Sequence, residues 1–159
     1  MAASTSLVVS PCASGYFAPY ECTRIFSPPV PSCDYSDSCL YWTTDKYPIL
    51  FFQPKIKPHT LALVFFHGNS SDIGDYHSVL REISVKLEIS VFAIEYPGFL
   101  GLGGELSESS ICQRVIDGID VIHNVFEFDY NAMILCGHSI GAAIALRAVA
   151  DNPSRFAGL

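Results

Sequence analysis

Four short apolar runs, each closed by a turn residue, constrain the fold of this chain more than any other feature. They are "PILFFQP" at Pro48–Pro54, "LALVFF" at Leu61–Phe66, "ISVFAIEY" at Ile89–Tyr96 and "AMILCG" at Ala132–Gly137. A half-solvated strand would alternate apolar with polar residues. These runs are apolar at nearly every position, the pattern of strands covered on both faces. Such strands need helices above and below them, and helical patterns lie in the intervals.

From Asp72 to Leu87 the apolar residues Tyr76, Val79, Leu80, Ile83 and Leu87 recur at helical spacing, with Ser71 or Asp72 placed to cap the start. From Glu108 to Phe126 the stripe is Ile111, Val115, Ile119, Ile122 and Phe126, capped by Ser107. "IGAAIALRAVA", Ile140 to Ala150, reads as a third helix whose small residues allow close packing on a sheet. Strand and helix alternate, which predicts an α/β chain with a mostly parallel sheet, helices on both faces and right-handed crossovers. Residues 1–40 differ: they are rich in Pro, Ser, Cys and aromatics and include "SPPVPS" at Ser27–Ser32. That composition predicts an irregular segment with at most an edge strand or two before a domain over 41–159.

Half of the 159 residues are hydrophobic and 16% are charged, so the chain is globular. A net charge of -7 excludes the basic surface that nucleic acid requires and any simple attraction to anionic lipid. The N-terminus lacks the basic region and apolar run of a signal peptide, and no stretch approaches the roughly 18 apolar residues of a membrane span. The expected location is therefore cytoplasmic, with peripheral membrane contact left open. The residue after Met1 is Ala2, which excludes N-myristoylation. Of six cysteines, Cys12, Cys22, Cys33 and Cys39 precede residue 40. They contain no C-x-x-C, so no metal site is expected, and disulfide pairing or S-acylation among them stays open. Cys112 lies in the second helical stripe, and Cys136, inside an apolar run, is expected to be buried. No cofactor-binding loop is present.

The chemistry concentrates at "CGHSIGAA", Cys136 to Ala143. Gly137, Ser139 and Gly141 spell G-x-S-x-G between a predicted strand and a predicted helix. A nucleophilic serine needs that setting, because a sharp strand-to-helix turn lifts its Oγ above the sheet. A Cβ at position 137 or 141 would strike the neighbouring strand or helix. Acyl transfer also needs two preset N–H donors for the developing oxyanion. Ile140, following the serine, is one candidate. The main chain of Asn69, in the "FFHGNSSD" loop after the earlier strand, is the other, with Gly68 after His67 allowing close approach. An ordinary strand-ending turn at His67–Gly68 and a Gly-Ser turn without chemistry are the alternatives.

Together "FFHGNSSDIGDY", "FAIEYPGFLGLGGELSE" and "CGHSIGAAIALRAVA" resemble the α/β-hydrolase superfamily, in particular the α/β-hydrolase-domain-containing proteins of types 17 and 13. The resemblance covers about residues 48–159. It implies the N-terminal portion of an α/β-hydrolase fold and a serine hydrolase cleaving an ester or thioester of a small molecule or acylated protein. Glu95 stands where the family usually has Asp, and Leu106 where Pro is common. The dispersed cysteines do not match the N-terminal cluster of the depalmitoylating type 17 members.

Such enzymes order their triad as Ser, acid, His. After Ser139 there is one acid, Asp151, expected to be a helix-end residue, and no histidine. His59, His67, His77, His123 and His138 all precede the serine and are read as structural, His67 being the least implausible substitute base. The "PSRFAGL" tail reads as the approach to another strand. The chain is therefore expected to be the first part of a hydrolase. The alternative is an inactive fragment or pseudoenzyme lacking acid and base, acting by binding if at all.

Overall fold

The structure is a computed structural model and describes residues 26–32, 39–54, 60–150 and 153–159. Cys12, Cys22, Cys33, His59 and Asp151 lie outside these residues. Among the described residues, five strands form one sheet: β1 (Leu40–Trp42), β2 (Pro48–Phe52), β3 (Ala62–Phe66), β4 (Ser90–Ile94) and β5 (Met133–Gly137). Three helices accompany them: α1 (His77–Leu87), α2 (Glu108–Phe126) and α3 (Ile140–Ala150). The spatial order is β1-β2-β4-β3-β5.

The sheet is mixed. β4, β3 and β5 run parallel, with Val64 of β3 opposite Phe92 and Leu135. β1 and β2 are antiparallel to each other, and β2 is antiparallel to β4. A tight turn joins β1 to β2, closed by bonds from Thr43 N to Tyr47 O and from Lys46 N to Thr43 O, both 2.9 Å.

Strand side chains alternate between two cores, as the pleat requires. Leu50, Phe52, Phe65, Val91 and Ala93 face α1 and pack with Leu80 and Ile83. Ile49, Val64, Phe66, Phe92 and Ile94 face the other way, against Ile111, Val115, Ile119 and Ile122 of α2 and Ala145 of α3. Helices therefore cover both faces, as the apolar runs imply. Each fully buried Leu, Ile or Phe contributes roughly 1.5–3 kcal/mol.

Helix ends follow capping chemistry. Ser107 opens α2 with a capping box in which its hydroxyl accepts from Ser110 N and Ser110 Oγ accepts from Ser107 N. Glu88 and Glu127 close α1 and α2 in the left-handed conformation. The expected start of α1 shifts. A single 3-10 turn, Gly74–Tyr76, comes first, and the α-helix begins at His77. Asp72 precedes that turn, its Oδ1 accepting from Gly74 N at 2.9 Å and Asp75 N at 3.2 Å. No regular structure forms over 26–32, and β1 begins at Leu40.

β5 pairs with β3 on one side. On the other, Leu135 N donates to Gly158 O and Ala157 N to Met133 O, at 3.0 and 2.8 Å, so residues 157–158 run alongside it. The edge position corrects one expectation: Cys136 is exposed, not buried. It follows Leu135 in the pleat and so points away from the α2–α3 core, on the face that carries Phe65. Among the described residues no helix is long and apolar enough to cross a membrane.

Candidate active site

β5 ends at Gly137 and α3 begins at Ile140, leaving His138 and Ser139 to make the whole turn. Ser139 sits at φ 56°, in the left-handed region a serine rarely adopts, and its side chain is exposed. Two glycines make so abrupt a reversal feasible. A Cβ on Gly137 would lie 2.2 Å from the carbonyl of Gly141, and one on Gly141 would lie 2.1 Å from Phe66 O and 2.6 Å from His67 O. Backbone fills both spaces, so no larger residue fits. His138 N donates to Phe66 O at 3.0 Å, fastening the turn to the end of β3. Ile140 opens α3, so its N–H has no acceptor within the helix and points out of the positive helix end.

The loop after β3 stands beside this turn. Gly68 packs against His138, where a Cβ would come within 2.9 Å of the imidazole Nδ1. Ser71 N closes the loop onto Gly68 O at 3.4 Å. One carboxylate holds both ends of the loop. Glu95, fully buried at the end of β4, accepts from His67 Nε2 at 2.7 Å through Oε1 and from Ile73 N at 3.1 Å through Oε2. Tyr96 N adds a third donor at 2.9 Å. The Gly68 carbonyl can only accept, so His67 Nδ1, 2.9 Å away, donates to it. Tyr96 stacks on the His67 ring at 4.0 Å and its hydroxyl donates to His67 O at 3.2 Å. Burial, then the neighbouring Glu95 and Tyr76, push the Tyr96 phenol well above its ordinary pKa, so it remains a donor.

These contacts define the histidines. His67 has both ring nitrogens committed inside the core and organises the loop, so it is not placed to act as the substitute base. His138 is exposed, and its Nδ1 shares a hydrogen bond of 2.9 Å with the Tyr76 hydroxyl. His123 Nδ1 donates to Phe128 O, far along the chain from the turn. His77 lies at the start of α1 with its ring edge-on to Phe52. The turn and the loop thus meet where Gly68 packs on His138, with Ser139 and Ile140 following His138 in the turn and Asn69 following Gly68 in the loop. They do not bring a histidine with an available nitrogen and an acid partner to Ser139 among the described residues.

Glu95 enters the sequence reading only as a departure from the family's usual Asp, and Tyr96 only as the end of an apolar run. A signal existed. The β3–β4 register pairs Phe65 with Ala93, so His67 and Glu95, each two residues further on, fall side by side.

Comparison with known proteins agrees with this geometry. The family model described as serine aminopeptidase, S33, matches residues 57–159. Protein bem46 of Schizosaccharomyces pombe is 28% identical over 121 residues, covering 74% of this chain and 38% of that protein. The monoglyceride lipase of Homo sapiens is 30% identical over 128 residues, covering 76% of this chain and 37% of the lipase. Among solved structures, the Francisella virulence factor BioJ superposes with a TM-score of 0.61 at 20% identity, covering 74% of this chain and 40% of that one, a likeness of fold. The chain thus spans well under half the length of the relatives it matches.

Proposed function

The chain belongs to the α/β-hydrolase superfamily, within the family described as serine aminopeptidase, S33, and from that premise we propose that it carries the nucleophile and oxyanion hole of an ester hydrolase. The observation that carries the reading is Ser139, exposed at φ 56° between β5 and α3 and flanked by glycines that backbone alone can accommodate.

In this reading Ser139 Oγ attacks the ester carbonyl while a general base takes its proton. The tetrahedral oxyanion is received by the N–H groups of Ile140 and Asn69. Collapse expels the leaving alcohol or thiol, which takes up the proton, and leaves an acyl-Ser139 ester that water then hydrolyses. Hydrolases of this fold place acid and base after the nucleophile in the order Ser, acid, His. Because the chain covers so small a share of its relatives, both roles are assigned to the remainder of such a fold. His67 and Glu95 are positioning residues, holding the loop that carries Asn69. The likeness of the His67–Asn69 loop and the Ser139 turn to the type 17 branch favours small acyl esters and S-acylated protein as the substrates to compare.

The test uses the whole protein that contains this chain. A fluorophosphonate probe is expected to label it, and Ser139→Ala to abolish labelling. The same substitution should lower kcat on p-nitrophenyl butyrate and on a matched butyryl thioester by about a thousandfold or more. Undiminished labelling or turnover in Ser139→Ala would refute the assignment.

A further inference from the structure

We propose that the proline-rich segment 26–32 is a strap that positions the oxyanion loop, with Ser27 and Ser32 as its anchors. The inference rests on Asn69 being an oxyanion donor and adds the residues that aim it. Ser27 N donates to Asn69 Oδ1 at 2.9 Å. Five residues later Ser32 N donates to Asp72 Oδ2 at 2.8 Å, and Ser32 Oγ donates to Asp72 Oδ1. The two anchors thus grip two positions of one short loop. Between them Pro28, Pro29 and Pro31 hold φ near -65°, so docking the segment costs little conformational freedom. Phe26, at the start of the strap, packs against the α2–α3 core.

Asp72 shows that the strap is built in. It is a fully buried carboxylate. Gly74 N and Asp75 N bond its Oδ1 from the loop side, and both Ser32 donors come from the strap. Without Ser32 a buried charge would lose donors it needs. Asn69 is held at its side chain by Ser27 as well as through the backbone it shares with Gly68. Misplacement by about 1 Å in such a site can cost a hundredfold in rate.

The test compares Ser27→Pro, which removes the N–H donor together with the hydroxyl, and Ser32→Ala, which removes the hydroxyl, with Ser32→Thr, which keeps it. All are made in the whole protein. The expected result is a fall in kcat of about tenfold in the first two, with KM within about twofold. Inhibition by phenylboronic acid, which forms a tetrahedral adduct, should weaken by the same factor, and Ser32→Thr should restore both. Unchanged kcat in both Ser27→Pro and Ser32→Ala, or equal losses in Ser32→Ala and Ser32→Thr, overturns the proposal. If the unmutated protein shows no Ser139-dependent turnover, the hydrolase reading fails separately. The strap is then judged by amide hydrogen exchange over 67–73: faster exchange in the two variants supports it, and unchanged exchange overturns it.

Discussion

Replacing Gly141 with alanine puts one methyl group where the structure has backbone. The Cβ would lie 2.1 Å from Phe66 O and 2.6 Å from both Phe66 C and His67 O. A relaxed carbon–oxygen contact is about 3.3–3.6 Å, so α3 must withdraw from β3 by about 1 Å. Neither neighbour is a flexible side chain that could turn aside. The withdrawal stretches the 3.0 Å bond from His138 N to Phe66 O beyond hydrogen-bond range. Overpacking costs about 1–3 kcal/mol and the lost bond about 1 kcal/mol, for a total of about 2–4 kcal/mol. At about 2–4 °C per kcal/mol for a domain of this size, the melting temperature should fall by roughly 10 °C. The same shift moves Ser139 and Ile140 and should lower turnover by about a hundredfold. Gly103→Ala is the control, because nothing lies within 4 Å of its added methyl. It should remain within about 0.5 kcal/mol of the parent. Urea denaturation with matched m-values measures both. A Gly141→Ala variant as stable as Gly103→Ala would refute the claim that backbone contact dictates this glycine.

Two further predictions concern the same site. Ser139→Gly should be more stable than Ser139→Ala by about 0.5–1 kcal/mol, because relief of the φ 56° strain exceeds glycine's greater unfolded-state entropy; denaturant midpoints of the two inactive variants decide it, and the reverse order would contradict the strain. Tyr96→Phe should lose about 1 kcal/mol at pH 7 with the bond to His67 O. The parent's phenol has a raised pKa through burial and then Glu95. Above about pH 10 the unfolded tyrosine releases its proton while the folded one retains it, so parent stability falls as pH rises. Tyr96→Phe should flatten that alkaline decline in a series of urea melts, and an equally steep decline would contradict it.

The local elements were legible because their signals are local. Ser107 reads as a cap from its place before an apolar stripe, and the capping box is there. Gly137, Ser139 and Gly141 read as a strand-to-helix turn, and the structure puts two residues between β5 and α3. The α-helix starts later than a cap at Ser71 or Asp72 implies because the Asp72 carboxylate bonds the N–H groups of an intervening 3-10 turn. The exposure of Cys136 was hidden because an apolar run does not say whether its strand is central or at an edge.

The sequence by itself determined four of the five described strands, the helices apart from the start of α1, the two-sided burial of the sheet and the strained serine turn. Each of these follows from side-chain periodicity or from the steric demands of residues a few positions apart. Only the tertiary structure decided that β4 lies beside β3, and with it that His67 meets Glu95. The same holds for the antiparallel β1–β2 pair and for Ser27 and Ser32, which reach Asn69 and Asp72 across about forty residues of chain. Those contacts depend on which surfaces meet when the sheet assembles, and a polar residue in sequence carries no mark of its distant partner.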